Sequence, residues 1–157
     1  MASPCTAAAG FYCPEGWADA AGVTCSAGFF CTGSSALPMP CGASPGSYCP
    51  VGTRIETGLK CPAGYFCAGS AADKMPCTAA QGSYCPEGST TADGELCPEG
   101  SGCPGGTAGI FPCDAEVGYY CPAGSASPTQ CPQGLYCSGG SAMPLPCQAS
   151  DGRCVAC

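Results

Sequence analysis

The sequence predicts a small disulfide-rich fold, mostly irregular chain with short β-hairpins and essentially no helix, in tandem repeats stacked into an elongated rod. Two features of composition and one of spacing lead there. Nineteen of 157 residues are cysteine, above the ~8–10% that marks a disulfide scaffold. Leu, Ile, Val and Phe supply 16 residues between them, about a tenth of the chain, where an unaided hydrophobic core needs roughly twice that share. Crosslinks must therefore do what an apolar interior does elsewhere, and crosslinks at this density persist only in an oxidising compartment. Secretion, a cell surface or an extracellular appendage is the expected address.

The spacing is periodic. The gaps between cysteines run 8, 12, 6 and 10 three times over, a 36-residue period, and a fourth copy is two residues shorter. The copies are 5–40 (Cys5, Cys13, Cys25, Cys31), 41–76 (Cys41, Cys49, Cys61, Cys67), 77–112 (Cys77, Cys85, Cys97, Cys103) and 113–146 (Cys113, Cys121, Cys131, Cys137). Residues 147–157, with Cys147, Cys154 and Cys157, read as a partial fifth repeat or a terminal clasp. A proline precedes the first cysteine of each copy at Pro4, Pro40, Pro76, Pro112 and Pro146. Its fixed φ and missing N–H make the joints alike. Identical joints propagate one rotation and translation, which is why a rod or superhelix is expected.

A finer period of about 18 runs inside the first. Glycine stands three residues before a cysteine at Gly10, Gly28, Gly46, Gly64, Gly82, Gly100, Gly118 and Gly134. The residue just before that cysteine is aromatic at Tyr12, Phe30, Tyr48, Phe66, Tyr84, Tyr120 and Tyr136, with Gly102 the exception. Glycine turn, short extended piece, cysteine anchor and second turn follow from this pattern, and pieces so short pair only as small ladders. The rings are expected to pack on the adjacent disulfide rather than to form a sugar-binding stripe. Trp17, the lone tryptophan, reads as a partly exposed cap.

With "CPAGYFC" (61–67) and "CPQGLYC" (131–137) in view, the chain resembles the cysteine-rich modules of the ephrin-receptor-like and growth-factor-receptor-like class, found in tandem in surface proteins of algae and other protists. The likeness covers nearly the whole chain through its Cys, Pro, Gly and aromatic positions. It implies extracellular location, elongated disulfide-linked modules and a structural or adhesive role in a fibre or surface coat, with no catalytic residues to carry over. The chain departs from the commoner pattern in that a cysteine directly follows nearly every aromatic.

Four cysteines per copy allow three connectivities, and the 18-residue echo allows a frame shifted by half a repeat. First with third and second with fourth is the expected choice, such as Cys5 with Cys25 and Cys13 with Cys31. An odd total cannot all pair within one chain, so either a thiol stays free or one bond crosses to another molecule, with Cys5, Cys147, Cys154 and Cys157 the candidates for an intermolecular bond or a clasp. A link between Cys5 of one molecule and Cys157 of another would run head to tail.

Other chemistries find little footing. Zinc favours cysteines two apart, a spacing met only by Cys154 and Cys157 in "CVAC", where no βαβ pattern suggests a redox motif either. The acidic group Glu87, Asp93, Glu95 and Glu99 fits no calcium loop and reads as a solvated face. There is no histidine and no nucleophile in a recognisable motif, so neither an enzyme nor a cofactor is expected.

A net charge of −7 with only Arg54, Lys60, Lys74 and Arg153 as cations disfavours nucleic acid, and no apolar run reaches the ~20 residues of a membrane span. Without asparagine, sugars would be O-linked, at "SPGS" (44–47), "GSTTADG" (88–94) or "GSASPTQ" (124–130). The opening "MASPCTAAAGFYC" has no secretory signal, so the chain reads as a processed form or a fragment.

The function these features suggest is a structural repeat protein that self-associates into a homopolymeric fibre or coat. The alternative is a ligand-binding or spacer segment of a receptor-like surface protein, with the irregularity at Gly102 as the place to look.

Overall fold

The computed structural model describes residues 5–147 except 18, 35 and 70–72. The chain divides into two compact units, one holding the residues up to Pro76 together with Glu87–Ala92, the other Cys77–Pro86 together with the residues from Asp93 onward. The cut falls between the second and third sequence repeats, except that the tip of one loop of the third belongs with the first unit.

Among the described residues there is no helix, and every strand is two residues long. In the first unit β1 (Phe11–Tyr12) pairs with β2 (Val23–Thr24), β3 (Phe29–Phe30) with β4 (Met39–Pro40), β5 (Ser47–Tyr48) with β6 (Leu59–Lys60), and β7 (Tyr65–Phe66) with β8 (Met75–Pro76). In the second, β9 (Ser83–Tyr84) pairs with β10 (Glu95–Leu96), β11 (Ser101–Gly102) with β12 (Phe111–Pro112), β13 (Tyr119–Tyr120) with β14 (Thr129–Gln130), and β15 (Leu135–Tyr136) with β16 (Leu145–Pro146). These are eight antiparallel hairpins in tandem, two to each 36-residue copy, so the half-period glimpsed in the glycines is the structural unit.

Each hairpin begins with the glycine turn the sequence predicts. In Ser44–Pro45–Gly46–Ser47 the Ser47 N–H donates to the Ser44 carbonyl at 3.0 Å, and Gly46 lies at φ 86°. Proline at the second place and a left-handed glycine at the third define a type II turn. The hairpin is extended past its two ladder residues by the next cysteine, whose N–H returns to the turn glycine: Cys61 to the Gly46 carbonyl at 2.8 Å, Cys97 to Gly82 at 2.9 Å, Cys113 to Gly100 at 3.0 Å. Prolines 40, 76, 112 and 146 occupy the last place of the second strand, so the missing donor falls next to that closing bond. The fourth copy's deletion shortens only a loop. Residues 13–22, 49–58 and 85–94 connect their strands in ten residues and 121–128 in eight, the length of every other hairpin loop here, while Tyr119 still faces Gln130.

The interior is sulfur and alanine. All the fully buried side chains of largest volume are cysteines, among them Cys25, Cys49, Cys61 and Cys97. Alanines 7, 43, 79 and 115 join them at 5–8% exposure, and Cys77, Ala79 and Cys85 typify the small clusters that result. Leucines, methionines and phenylalanines, by contrast, are largely at the surface, with Leu37, Leu96 and Phe111 all more than half exposed. A chain held this way belongs in an oxidising compartment.

Candidate functional site

The sixteen repeat cysteines form eight disulfides, but not in the expected connectivity. First pairs with second and third with fourth: Cys5–Cys13, Cys25–Cys31, Cys41–Cys49, Cys61–Cys67, Cys77–Cys85, Cys97–Cys103, Cys113–Cys121 and Cys131–Cys137, with Cα separations of 5.8–6.5 Å. Cys5–Cys25 and Cys13–Cys31 are thus corrected. The hairpin register explains why. Cys25 and Cys61 stand across their hairpins from Gly10 and Gly46, to whose carbonyls they donate, and a Cβ built on Gly58 would lie 2.7 Å from the Cys49 sulfur. A cysteine facing a glycine has no cross-hairpin partner. Its sulfur meets instead the cysteine that the intervening type II turn brings back within disulfide reach.

Cys5 is consumed by Cys13, so it is not the intermolecular thiol. Cys147 is also disulfide-bonded, while Cys154 and Cys157 lie outside the described residues. All seven period-18 rings, Tyr12, Phe30, Tyr48, Phe66, Tyr84, Tyr120 and Tyr136, are half-buried beside a bonded cysteine. Trp17 is 47% exposed. Lys74 lies 4.6 Å from the centre of the Tyr65 ring, close enough for a cation–π contact. Among the described residues no three His, Cys, Asp or Glu side chains converge as a metal site would require, and no helix is long and apolar enough to cross a membrane.

What joins one copy to the next is a second turn, of the form Pro-x-Gly-Ser/Thr. In Pro50–Val51–Gly52–Thr53 the Thr53 hydroxyl donates to the Pro50 carbonyl at 2.6 Å, and Ser125 does the same to Pro122. The Gly52 N–H donates to the Cys25 carbonyl at 2.8 Å, and Thr53 accepts from the Cys31 N–H at 3.0 Å. One period on, Gly88 donates to Cys61 at 2.7 Å and Ser89 accepts from Cys67 at 3.0 Å; another period on, Gly124 donates to Cys97 at 2.7 Å and Ser125 accepts from Cys103 at 2.9 Å. The approach is so close that a Cβ on Gly10 would lie 2.6 Å from the Gly52 carbonyl oxygen, and one on Gly46 2.5 Å from that of Gly88. Gly82 meets Gly124 in the same way. At Lys60 and Glu87 the joint also carries an ion pair at 3.9 Å, with both side chains more than half exposed.

Sequence reasoning found the glycines but missed two parts of this machinery. The buried alanines were legible as a Cys-x-Ala in every copy, and their role is to let a neighbouring backbone pass: Ser34, Gly106 and Gly140 donate to the carbonyls of Ala7, Ala79 and Ala115 at 2.6–2.7 Å. The hydroxyls of Thr53, Ser89 and Ser125 follow Pro-x-Gly in three copies, where the remaining copy has Trp17. Compared with family models, with curated proteins and with solved structures, the chain matches none.

Proposed function

We propose that this chain is extracellular structural material: a stiff, disulfide-linked repeat that assembles with copies of itself into a fibre or surface coat, as the resemblance to ephrin-receptor-like and growth-factor-receptor-like modules suggests. The observation that carries the reading is the joint. The same two backbone hydrogen bonds, at the same positions, recur wherever a Pro-x-Gly turn meets the preceding copy, which suits a part that bears or transmits force along its length. Apolar side chains left at the surface suit contact with further copies. The cell surface is the proposed address, with O-linked sugars at the exposed Ser127 and Thr129 on either side of Pro128, and no catalytic role is assigned. Electron microscopy of the oxidised chain tests this: ordered filaments or sheets that disperse in reductant are expected, and dispersed particles under all oxidising conditions refute it.

A second reading, the ligand-binding or spacer segment, draws on one feature. Where Gly102 breaks the aromatic series a cavity of about 190 Å³ opens between Gly102, Pro104, Phe111 and Pro128, room for a small apolar group of a partner.

A further inference from the structure

Every interior joint has a turn and a receiving face, and the first turn and the last face are each found without a mate among the described residues. The turn Pro14–Glu15–Gly16–Trp17 has the geometry of its counterparts: Trp17 N–H donates to the Pro14 carbonyl at 3.1 Å and Gly16 lies at φ 77° beside 79° for Gly52 and 76° for Gly124. Yet a Cβ on Gly52, Gly88 or Gly124 would touch Thr24, Lys60 or Leu96 at 2.9–3.6 Å, whereas one on Gly16 meets nothing within 4 Å. Trp17 is 47% exposed where Thr53 and Ser125 are 4% and 7%.

The receiving face repeats at Gly118, Gln130, Cys131 and Cys137, which stand where Gly82, Leu96, Cys97 and Cys103 stand one copy earlier. Here too a Cβ on Gly118 meets nothing within 4 Å, although its counterparts Gly10, Gly46 and Gly82 are covered by the carbonyls of Gly52, Gly88 and Gly124. Cys131 is only half-buried and Gly134 is exposed, unlike Cys25, Cys61 and Cys97, or Gly28 and Gly64. A cavity of about 410 Å³ occupies the place a turn would fill, lined by Gly118, Gln130, Cys131, Gly134 and Cys137 among others.

We infer that this cavity is an interface, and that its occupant is the Pro14–Trp17 turn of a second copy of the chain. This rests on the assembly reading above and gives it a contact. Donors and acceptors match group for group. Gly16 N–H would donate to the Cys131 carbonyl as Gly52 does to Cys25, Cys137 N–H to the Trp17 carbonyl as Cys31 does to Thr53, and Gly134 N–H to the Cys13 carbonyl as Gly28 does to Cys49 and Gly100 to Cys121. The indole of Trp17 would enter the cavity of about 410 Å³ at the position where interior joints hold a threonine or serine. Turn and face being different surfaces, the contact is heterologous and propagates from copy to copy. Gln130 and Glu15 fall at the positions of Lys60 and Glu87, the ion pair of the second joint.

The test is sedimentation of the full oxidised chain over a concentration series, with the emission of its single tryptophan followed in parallel. Reversible association is expected, with Trp17 emission moving to the blue as concentration rises. Gln130 is exposed and its counterparts are Thr24, Lys60 and Leu96, so charge changes there leave the fold intact. Gln130→Lys should tighten association about two- to fivefold and Gln130→Glu, opposed by Glu15, should loosen it by a similar factor, the usual reach of an exposed pair. Glu15→Lys should restore the Gln130→Glu chain, and all three effects should fade in high salt. Association indifferent to these charges overturns the inferred joint while leaving assembly by another surface. Tryptophan emission already blue at every dilution, without association, shows the indole buried within one chain and overturns it too. A chain that stays single with its indole in water at all concentrations sinks the joint and the assembly reading together.

Discussion

Replacing Gly46 by alanine attacks turn and joint at once, and the two costs can be separated. The residue lies at φ 86°, a left-handed conformation that costs an L side chain about 1–2 kcal/mol. The added methyl would also sit 2.5 Å from the Gly88 carbonyl oxygen, a distance no Cβ tolerates. Backbone cannot swing away as a flexible side chain can, so the 86–89 turn must lift and strain or lose its bonds from Gly88 to Cys61 and from Cys67 to Ser89. Each is worth about 0.5–1.5 kcal/mol net. The sum is about 2–5 kcal/mol, a rise of about 30- to 5,000-fold in the local opening constant.

Amide hydrogen exchange at Gly88 and Cys67 reads that opening directly. Two controls isolate the causes. Gly106 is also left-handed, at φ 61°, but has open space where its Cβ would go, so Gly106→Ala should cost only the conformational part, about 1–2 kcal/mol. Gly42 has an ordinary backbone and only the exposed Glu56 side chain near it, 3.4 Å away at its closest atom, so Gly42→Ala should be neutral or stabilise by about 0.4–1 kcal/mol. If Gly46→Ala opens its joint no more than Gly106→Ala opens its own surroundings, close approach of the two backbones is not what sets the glycine, and the reasoning about the joint fails.

Two further outcomes are expected. Removing one whole crosslink with Cys97→Ser and Cys103→Ser restores about 2–3 kcal/mol of chain freedom. In a linear array the resulting loss of amide protection, read by exchange and mass spectrometry, should stay with the third copy and the Gly124 turn that docks on it, and loss spreading through residues 5–67 would contradict nearest-neighbour stabilisation. Ala79→Leu forces extra methylenes between Cys77 and Cys85, where the alanine is 5% exposed, and should cost about 1–3 kcal/mol in thermal unfolding. Ala80→Leu, one residue on at an exposed position, should cost little, and equal losses for both would remove the alanine socket from the account.

The part of this protein that its sequence determines is the part set locally. Too few large apolar residues for a core, cysteines at a fixed period, and glycine three places before a cysteine with an aromatic between suffice to specify hairpins on tight turns, crosslinks in place of an interior, and the absence of helix from the described residues. The half-period carried more than the full one. Gly102, an exception in the aromatic series, still pairs with Phe111 in a regular hairpin, because the turn at Gly100 and the cysteine at 103 define the unit without the ring.

Which sulfur meets which was decided by tertiary structure. Contour length permits Cys5 to reach either Cys13 or Cys25, and only the hairpin register, which sets glycine opposite cysteine, removes the longer bond. The joint is likewise invisible along the chain, since Gly52 and Cys25, or Gly124 and Cys97, are 27 residues apart and linked by backbone groups that every residue but proline carries. Side-chain identity tells where the chain turns. Where two turns come to rest against each other depends on backbone donors and acceptors, which residue letters other than proline's do not distinguish, and on the empty space above a glycine or an alanine.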